Sequence, residues 1–428
     1  MSDPPRRAYR SLRHRDFRLL WFADAVSMLG TQMQRVAIGW QVYELTGDPL
    51  QLGLLGLVRF LPVLVFGLVG GVIADQRDRR LTLLSSITVL ALSSVILAVA
   101  TWTGGASMPL IYGITFFSAA VSAIAGPSRQ ALFPALVPRA ELAGAATLNI
   151  LAMQTAGVVG PALGGIMIGL GGLGLTYLLD ALSFLAVLVA LLLMRARPEV
   201  PPLRVTGVAA AIEGLKFLWG MPILLAVMAL DFFATFFGAS TTLLPIFAEQ
   251  VFGMGAEGYG LLVSAPAAGA VAGSAVMSVL PIPRRVGFGI VVAVAAYGAC
   301  LLGFGLSRTV WLSLLLLAGS GAADTVSMAF RHTIRNLVTP DQLRGRIAAA
   351  HSTFAMGGPQ LGEFEAGLVA AAFSPTVSVA SGGAATIIAC LLIVRLVPTI
   401  ARYRTDSPPT PVAEWQQPAR PVPAPERR

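Results

Sequence analysis

The chain has 428 residues, of which 56% are hydrophobic and 12% charged. Soluble domains carry about 25% charged residues, so this balance, with a mean hydropathy of +0.76, excludes an ordinary soluble enzyme. A net charge of +9 suits a nucleic-acid binder only when it forms a basic face on a soluble domain, and no nucleic acid is expected here.

Residues 1–16 form a basic N-terminus with Arg6, Arg7, Arg10, Arg13 and Arg15. The apolar run that follows, from Leu19, is too long for a signal-peptide core and is expected to be a first span. Stretches of about 20 apolar residues read as membrane helices. Six fall at 17–43, 50–74, 81–102, 107–128, 142–169 and 173–194. Continuous apolarity argues against a transmembrane barrel, whose strands alternate.

Span 1 carries Asp24 and Arg35, eleven residues apart and therefore on one helical face, with Met28 on that face and Gln32 near its edge. An ionisable group inside a span is costly and points to function. Asp24 reads either as a proton acceptor that Arg35 modulates or as a permanently paired structural charge. Arg59 in span 2 requires a partner that the sequence does not name.

The loop after span 2 reads Gly70-Gly71-Val-Ile-Ala-Asp75-Gln-Arg77-Asp78-Arg79-Arg80. Its glycines permit close backbone approach, and Asp75 could meet the positive N-terminal end of span 11. Span 5 carries Ala156-Gly-Val-Val-Gly160-Pro161-Ala-Leu-Gly164-Gly165, small residues that let helices touch around a proline that bends them. Asp180 in span 6 is expected to be structural.

Residues 195–220 divide the spans six and six. They open with prolines and continue as an apolar-faced segment, Ile212 to Trp219, expected to lie as an amphipathic helix on the inner membrane surface. The second six spans fall at 221–248, 257–280, 285–306, 309–331, 344–371 and 375–397. Span 7 holds Asp231 with Thr235 and Thr242 on one face, and the pairs Phe232/Phe236 and Phe233/Phe237, each one turn apart, which read as a substrate wall or as lipid-facing packing. Span 10 holds Asp324. Span 11 holds Glu363 and Glu365, two residues apart, so at most one faces a cavity. Trp21, Trp40, Trp102 and Trp311 stand near span ends, as interface anchors do. Residues 398–428 are rich in proline, arginine and glutamate and are expected to be disordered.

The halves echo each other. Arg129 precedes Pro138 by nine residues and Arg331 precedes Pro340 by nine; Pro161-Ala-Leu-Gly164 answers Pro359-Gln-Leu-Gly362. Matched on Arg129 and Arg331, Asp324 aligns with Ser122. Two parallel six-helix repeats form a transporter architecture with substrate bound between them. The 30 Lys and Arg residues then orient the chain: Arg35 and Arg59 lie inside spans, Arg308 alone lies in an odd-numbered loop, and the other 27 lie at the termini, even-numbered loops or adjoining span ends. Both termini are expected in the cytoplasm.

On these motifs the chain resembles the major facilitator superfamily. Gly71, Asp75, Arg79 and Arg80 match its loop 2–3 signature, with Gln76 and Asp78 as departures. The second departure, with Phe17-Arg-Leu-Leu-Trp21, Arg59-Phe-Leu-Pro62, Gly126-Pro-Ser-Arg129, Glu213-Gly-Leu-Lys-Phe-Leu218 and Leu343-Arg-Gly-Arg346, is similar to the branch of enterobactin and macrolide exporters. The resemblance implies an all-α membrane protein of 12 helices in two pseudo-symmetric bundles, 17–194 and 221–397. It also implies a cytoplasmic gate of Gly71, Asp75, Arg79 and Arg80 with a basic residue at the end of span 4, for which Arg129 stands; arginines that only set topology are the other reading. Gly160, Pro161, Gly164 and Gly165 match the core of its antiporter motif, which implies export; close packing without directional meaning is the other reading.

The expected activity is export of a small organic molecule (a drug, macrolide or siderophore) by proton antiport and alternating access, in the cell membrane. The expected partners are that substrate, protons and the bilayer, and the expected functional unit is a monomer. Asp24, Arg35, Asp231, Asp324 and Glu363 are the candidates for proton coupling or the substrate cavity. Nutrient uptake and a transport-dead receptor or scaffold are the alternatives. A membrane-embedded enzyme is disfavoured: His14, His332 and His351 lack metal-ligand spacing and no Walker A pattern is present. No metal or cofactor is expected. Cys300 and Cys390 lie in apolar runs and cannot form a disulfide framework.

Overall fold

The computed structural model describes residues 9–76, 78–196, 218–281, 283–340 and 343–406, without the side chains at 68–76 and at most positions of 344–356. The expected amphipathic helix of the 195–220 linker, up to residue 217, and the tail beyond residue 406 lie outside the described residues. A short 3-10 turn, Tyr9–Arg13, leads into α1 (Arg15–Thr46), α2 (Pro49–Gln76), α3 (Arg79–Trp102) and α4 (Met108–Ala135). The stretch Leu142–Leu193 turns at Gly172, where φ is 75°, a conformation that glycine adopts without steric cost. It is therefore two helices, α5 (142–171) and α6 (173–193).

Helix α7 (Pro222–Val251) is regular as far as Phe237, then tightens into a 3-10 turn at Ser240–Leu243 and widens into a π turn at Phe247–Val251. There follow α8 (Gly255–Val279), α9 (Val286–Leu306), α10 (Val310–Val338), α11 (Arg344–Ala372), α12 (Pro375–Leu396) and the short α13 (Thr399–Arg402). No strand occurs among the described residues. Helices are the outcome expected where no water is present to satisfy backbone groups.

Local chemistry sets the ends. Gly47, at φ 60°, closes α1 with its N–H on the Tyr43 carbonyl at 2.8 Å. Prolines open α7 and α12 in the first turn, where their missing N–H costs nothing. Asp78, a departure from the family signature, caps α3: its carboxylate accepts from the Arg80 N–H at 2.8 Å and the Leu81 N–H at 3.3 Å. Helices α4 and α10 run on to Ala135 and Val338, beyond the apolar runs that stop at 128 and 331.

Nine stretches of the described residues are helical, long and apolar enough to cross a membrane. The outer surface is apolar, with Leu170, Leu192, Leu315 and Leu396 exposed, while Ser94, Thr176, Asp180, Ser313 and Ser320 are buried. That inside-out distribution suits lipid contact, since lipid tails are as apolar as leucine. Trp102 and Trp311 are exposed near helix ends, but Trp40 departs from the interface-anchor expectation. It is buried, stacks on Tyr259 at 5.9 Å and donates its indole N–H to Glu44 at 2.6 Å, because its side of α1 meets α8 rather than lipid.

The Ser11 hydroxyl donates to the Glu141 carbonyl at 3.2 Å and the Thr405 N–H donates to the Arg284 carbonyl at 3.0 Å, so the described ends meet the turns between helices on one face, here called the terminal face. The buried apolar residues form three clusters. On the terminal face, one joins α1, α3, α4, α5 and α6 through Phe17, Leu132, Leu148 and Leu191. Another joins α7, α9, α10 and α12 through Leu224, Ile290, Ile334 and Ile393. At the far face a single cluster unites residues of both halves, among them Val36, Leu52, Leu244, Phe247 and Leu262. Two separate cores at one end and one shared core at the other leave a space between the halves that the far face closes.

Candidate functional site

Charged residues inside the helices gather at three places. In the first half, Arg129 of α4 forms an ion pair with Asp24 of α1. The sequence suggested Arg35 as the modulating neighbour of Asp24. The two do share a helical face, but eleven residues amount to about 16 Å along the axis, and Arg129 from the adjacent helix supplies the countercharge. Arg129, expected at a gate with Asp75, is engaged with Asp24 in this structure.

The second half has the equivalent pair, Asp231 of α7 with Arg331 of α10 at 2.9 Å, and adds to it. Asp324, about two helical turns before Arg331, meets the same Nη2 at 3.3 Å. His351 of α11 stands with Nε2 3.1 Å from the other Asp231 oxygen. The His351 ring lies 6.0 Å from that of His332, whose Nδ1 is 2.6 Å from Arg335. Asp231 and Arg331 are buried, whereas the Asp324 side chain retains 40% exposure. Two carboxylates thus share one guanidinium. The first half has Ser122 at the position that aligns with Asp324, and so one carboxylate for its arginine.

The third place is a cavity of about 340 Å³ between the halves, lined by Gln32, Arg35, Arg59, Tyr259, Gln360 and Glu363 among others. These come from α1, α2, α8 and α11, so both repeats contribute. Arg59, left without a partner by the sequence, faces Glu363 at 3.7 Å. Arg35 lines the same cavity, and among the described residues no carboxylate lies within ion-pair distance of it. Glu365 does not reach the cavity, consistent with its separation from Glu363 around the helix.

Glycines set how closely the helices around this space approach. A Cβ at Gly160 would meet Gln32 at 2.5 Å, and one at Gly164 would meet Met33 Cα at 3.0 Å, so both lie against α1. Gly165 turns to α8, where a Cβ would stand 2.5 Å from the Ala256 carbonyl and 3.0 Å from Gly260 Cα. Pro161 lines the cavity between these two seams. On the other side of the cavity, Gly53 of α2 opposes Gly367 of α11, with a Cβ on Gly53 falling 2.8 Å from Gly367 Cα.

Bonds across the halves fall on the far face too. The Thr242 hydroxyl donates to the Leu52 carbonyl at 3.0 Å and Gln250 donates to the Tyr43 hydroxyl at 3.4 Å. Thr242, expected to extend the face of Asp231, serves this seam instead.

Of the loop 2–3 signature, Gly71 lies in α2 and the side chain of Asp75 is not among those described. Arg79 is buried at the start of α3, and Arg80 donates through Nη2 to the Leu192 carbonyl at 3.3 Å. Asp180 accepts from the Ser94 hydroxyl at 2.6 Å, and Ser94 accepts from Gln34 at 2.8 Å, a chain that ties α1, α3 and α6 together. Sequence reading missed His351, Gln360 and Tyr259. The repeat held a signal for the first: matched on Pro161 and Pro359, His351 answers Met153, a titratable group where the other half is apolar.

Two helical halves around a charged cavity, closed at one end by a shared core, define a multi-pass membrane transporter of the major facilitator fold. The chain belongs to the transmembrane secretion effector family, whose model matches residues 7–422. It is similar to the enterobactin exporter EntS of Citrobacter koseri, with 26% identity over 398 residues, covering 93% of this chain and 95% of that one. The enterobactin exporter EntS of Salmonella paratyphi A is likewise 26% identical, covering 92% and 95%.

Among solved structures, a bacterial homologue of the human lysosomal transporter Spinster, inward-facing and unoccupied, matches with a TM-score of 0.69. It is 15% identical, with 96% of this chain and 100% of that one covered. A POT family transporter in complex with a thioalcohol-conjugated peptide gives 0.72 at 12% identity, covering 90% and 96%. These two likenesses are of fold.

Proposed function

We propose that the protein exports a small organic molecule (a drug, macrolide or siderophore) by proton antiport and alternating access. In this reading the terminal face is cytoplasmic, as the arginine distribution argues, and the cavity receives substrate from that side while the far face is shut. The two halves then rock about the cavity, the far-face seams part and the terminal-face cores meet. Gly71, Asp75, Arg79 and Arg80 would hold that second state at the cytoplasmic side. The similarity to enterobactin exporters and the Gly160-Pro161-x-x-Gly164-Gly165 motif support export over uptake. A monomer suffices, because both halves of the cavity come from one chain.

The observation that carries proton coupling is the shared guanidinium of Arg331. Asp24 has Arg129 to itself, so its charge is balanced within the pair. Asp231 and Asp324 have one arginine between them, and a proton taken up within the cluster balances the second negative charge inside the membrane, where an unbalanced one is costly. Exchange of that proton as the halves move is the coupling step. The Arg331 cluster, rather than Asp24, is therefore the proposed proton site.

Purified protein in proteoliposomes, offered enterobactin, macrolides and cationic dyes, tests both parts. An inward proton gradient is expected to drive accumulation against the substrate gradient. Asp324→Asn and Asp231→Asn are expected to abolish that gradient dependence while leaving substrate counterflow. Export unchanged when the gradient is collapsed, or full coupling in both variants, refutes the proposal.

A further inference from the structure

The cavity holds a charge imbalance that the antiport reading does not use. Arg35 and Arg59 both line it, and Glu363 is the one carboxylate among the lining residues. Glu363 serves Arg59, at 3.7 Å, an ion pair beyond hydrogen-bond length. Its Oε2, and the Oε1 of Gln360 one turn earlier, are buried without a hydrogen-bond partner. Arg35 is exposed to the cavity. Two guanidiniums against one carboxylate leave the site one positive charge in excess, between helices where a lone cation is expensive. Guanidinium groups bind planar oxyanions in forked, charge-assisted pairs.

We infer that the transported molecule carries an acidic group, a carboxylate or a similar oxyanion, which seats between Arg35 and Arg59 and displaces Glu363 from Arg59. The body of the molecule then lies against Val36, Leu55 and the Tyr259 ring, which complete an amphipathic pocket. Displacement has a mechanical consequence. Arg59 belongs to α2 and Glu363 to α11, so their pair spans the two halves beside the Gly53–Gly367 seam. An incoming anion loosens the far-face closure at the moment the site fills. A neutral or cationic molecule would leave the excess charge unbalanced and the seam intact.

The inference rests on reading this cavity as the transport site, and its test needs no proton gradient. The full chain in nanodiscs is titrated calorimetrically with 2-naphthoate, 2-naphthamide and 2-naphthylmethylammonium, which share one apolar body and differ in charge. The naphthoate is expected to bind about tenfold or more tightly than the amide, as a charge-assisted pair would give, and the ammonium weakest. Arg35→Gln and Arg59→Gln are each expected to remove that preference, and Glu363→Gln to tighten naphthoate binding several-fold by removing its competitor. Should either glutamine variant fail to fold, Arg35→Lys and Arg59→Lys keep the charge and are expected to keep the order of affinities.

Absence of naphthoate binding, amide binding as tight as naphthoate, weaker naphthoate binding in Glu363→Gln, or a lysine variant that prefers the amide overturns the inference. The two readings fail separately. Anion preference without proton coupling refutes antiport alone, and proton-coupled export with no anion preference refutes this inference alone.

Discussion

At the scale of single residues, burial decides what each charge can do. Arg331 is 4% exposed and serves two carboxylates, so its removal leaves Asp324 without its cation and Asp231 with His351 alone. Arg331→Gln is expected to destabilise the protein by about 3–5 kcal/mol, read as a large fall in thermal midpoint in detergent. Asp231→Asn removes one of the competing carboxylates and is expected to cost far less. Asp180 is a contrast: fully buried, it has a hydroxyl rather than a cation as its named partner. Asp180→Asn keeps an acceptor for Ser94 and is expected to shift stability by under about 1 kcal/mol. Asp180→Leu strands the Ser94 and Gln34 polar groups and is expected to cost about 1–3 kcal/mol. Thermal melts of the two variants side by side give the comparison.

At the scale of elements, the seams between helices are built from glycine because nothing larger fits. Gly165 and Gly260 bring α5 and α8 together, and a side chain at Gly165 would collide with backbone, which cannot move aside as a flexible side chain can. Gly165→Val is therefore expected to part the far face rather than merely crowd it, at about 1–3 kcal/mol. A reporter cysteine at Thr242, in a background with Cys300 and Cys390 replaced by serine, reads this out. Its labelling by a water-soluble maleimide is expected to speed up in Gly165→Val. Unchanged labelling would mean that the α5–α8 seam does not keep the far face shut.

At the scale of the whole molecule, the arrangement is one shared core and two separate ones. Alternating access requires the shared core to come apart and the separate cores to meet, so fixing the far face is expected to stop transport without emptying the site. Tyr43→Cys with Gln250→Cys, in the same cysteine-free background, places two thiols across the α1–α7 seam, where the native side chains meet at 3.4 Å. A short bis-methanethiosulfonate reagent is expected to bridge them, abolish substrate counterflow and leave cavity binding intact; reduction is expected to restore counterflow. Counterflow that survives cross-linking would rule out opening at this seam.

Much of this is legible in the order of the residues alone. Apolar run length placed the membrane helices, since a bilayer imposes one length on every crossing, and the boundaries at Trp102, Leu306 and Leu396 agree to within a residue or so. Gly172 and Gly47 were less visible as turn positions, because glycine is frequent throughout the chain. The family signature, the internal repeat and the list of charges inside spans all came from the order of residues. What those charges do with one another did not. Helical periodicity gave Asp24 and Arg35 a common face, but a face has no depth, and three turns separate them. Arg129 reaches Asp24, Arg331 gathers Asp231 and Asp324, and Glu363 finds Arg59 through contacts between helices remote in sequence. The sequence by itself determined an all-helical membrane protein of two related halves, because hydropathy and periodicity are local properties, and its motifs carried the resemblance to a transporter family. Only the tertiary structure decided which charges pair, which face is shut and that the central cavity is left with a positive charge in excess, because those depend on how far apart packed helices bring their side chains.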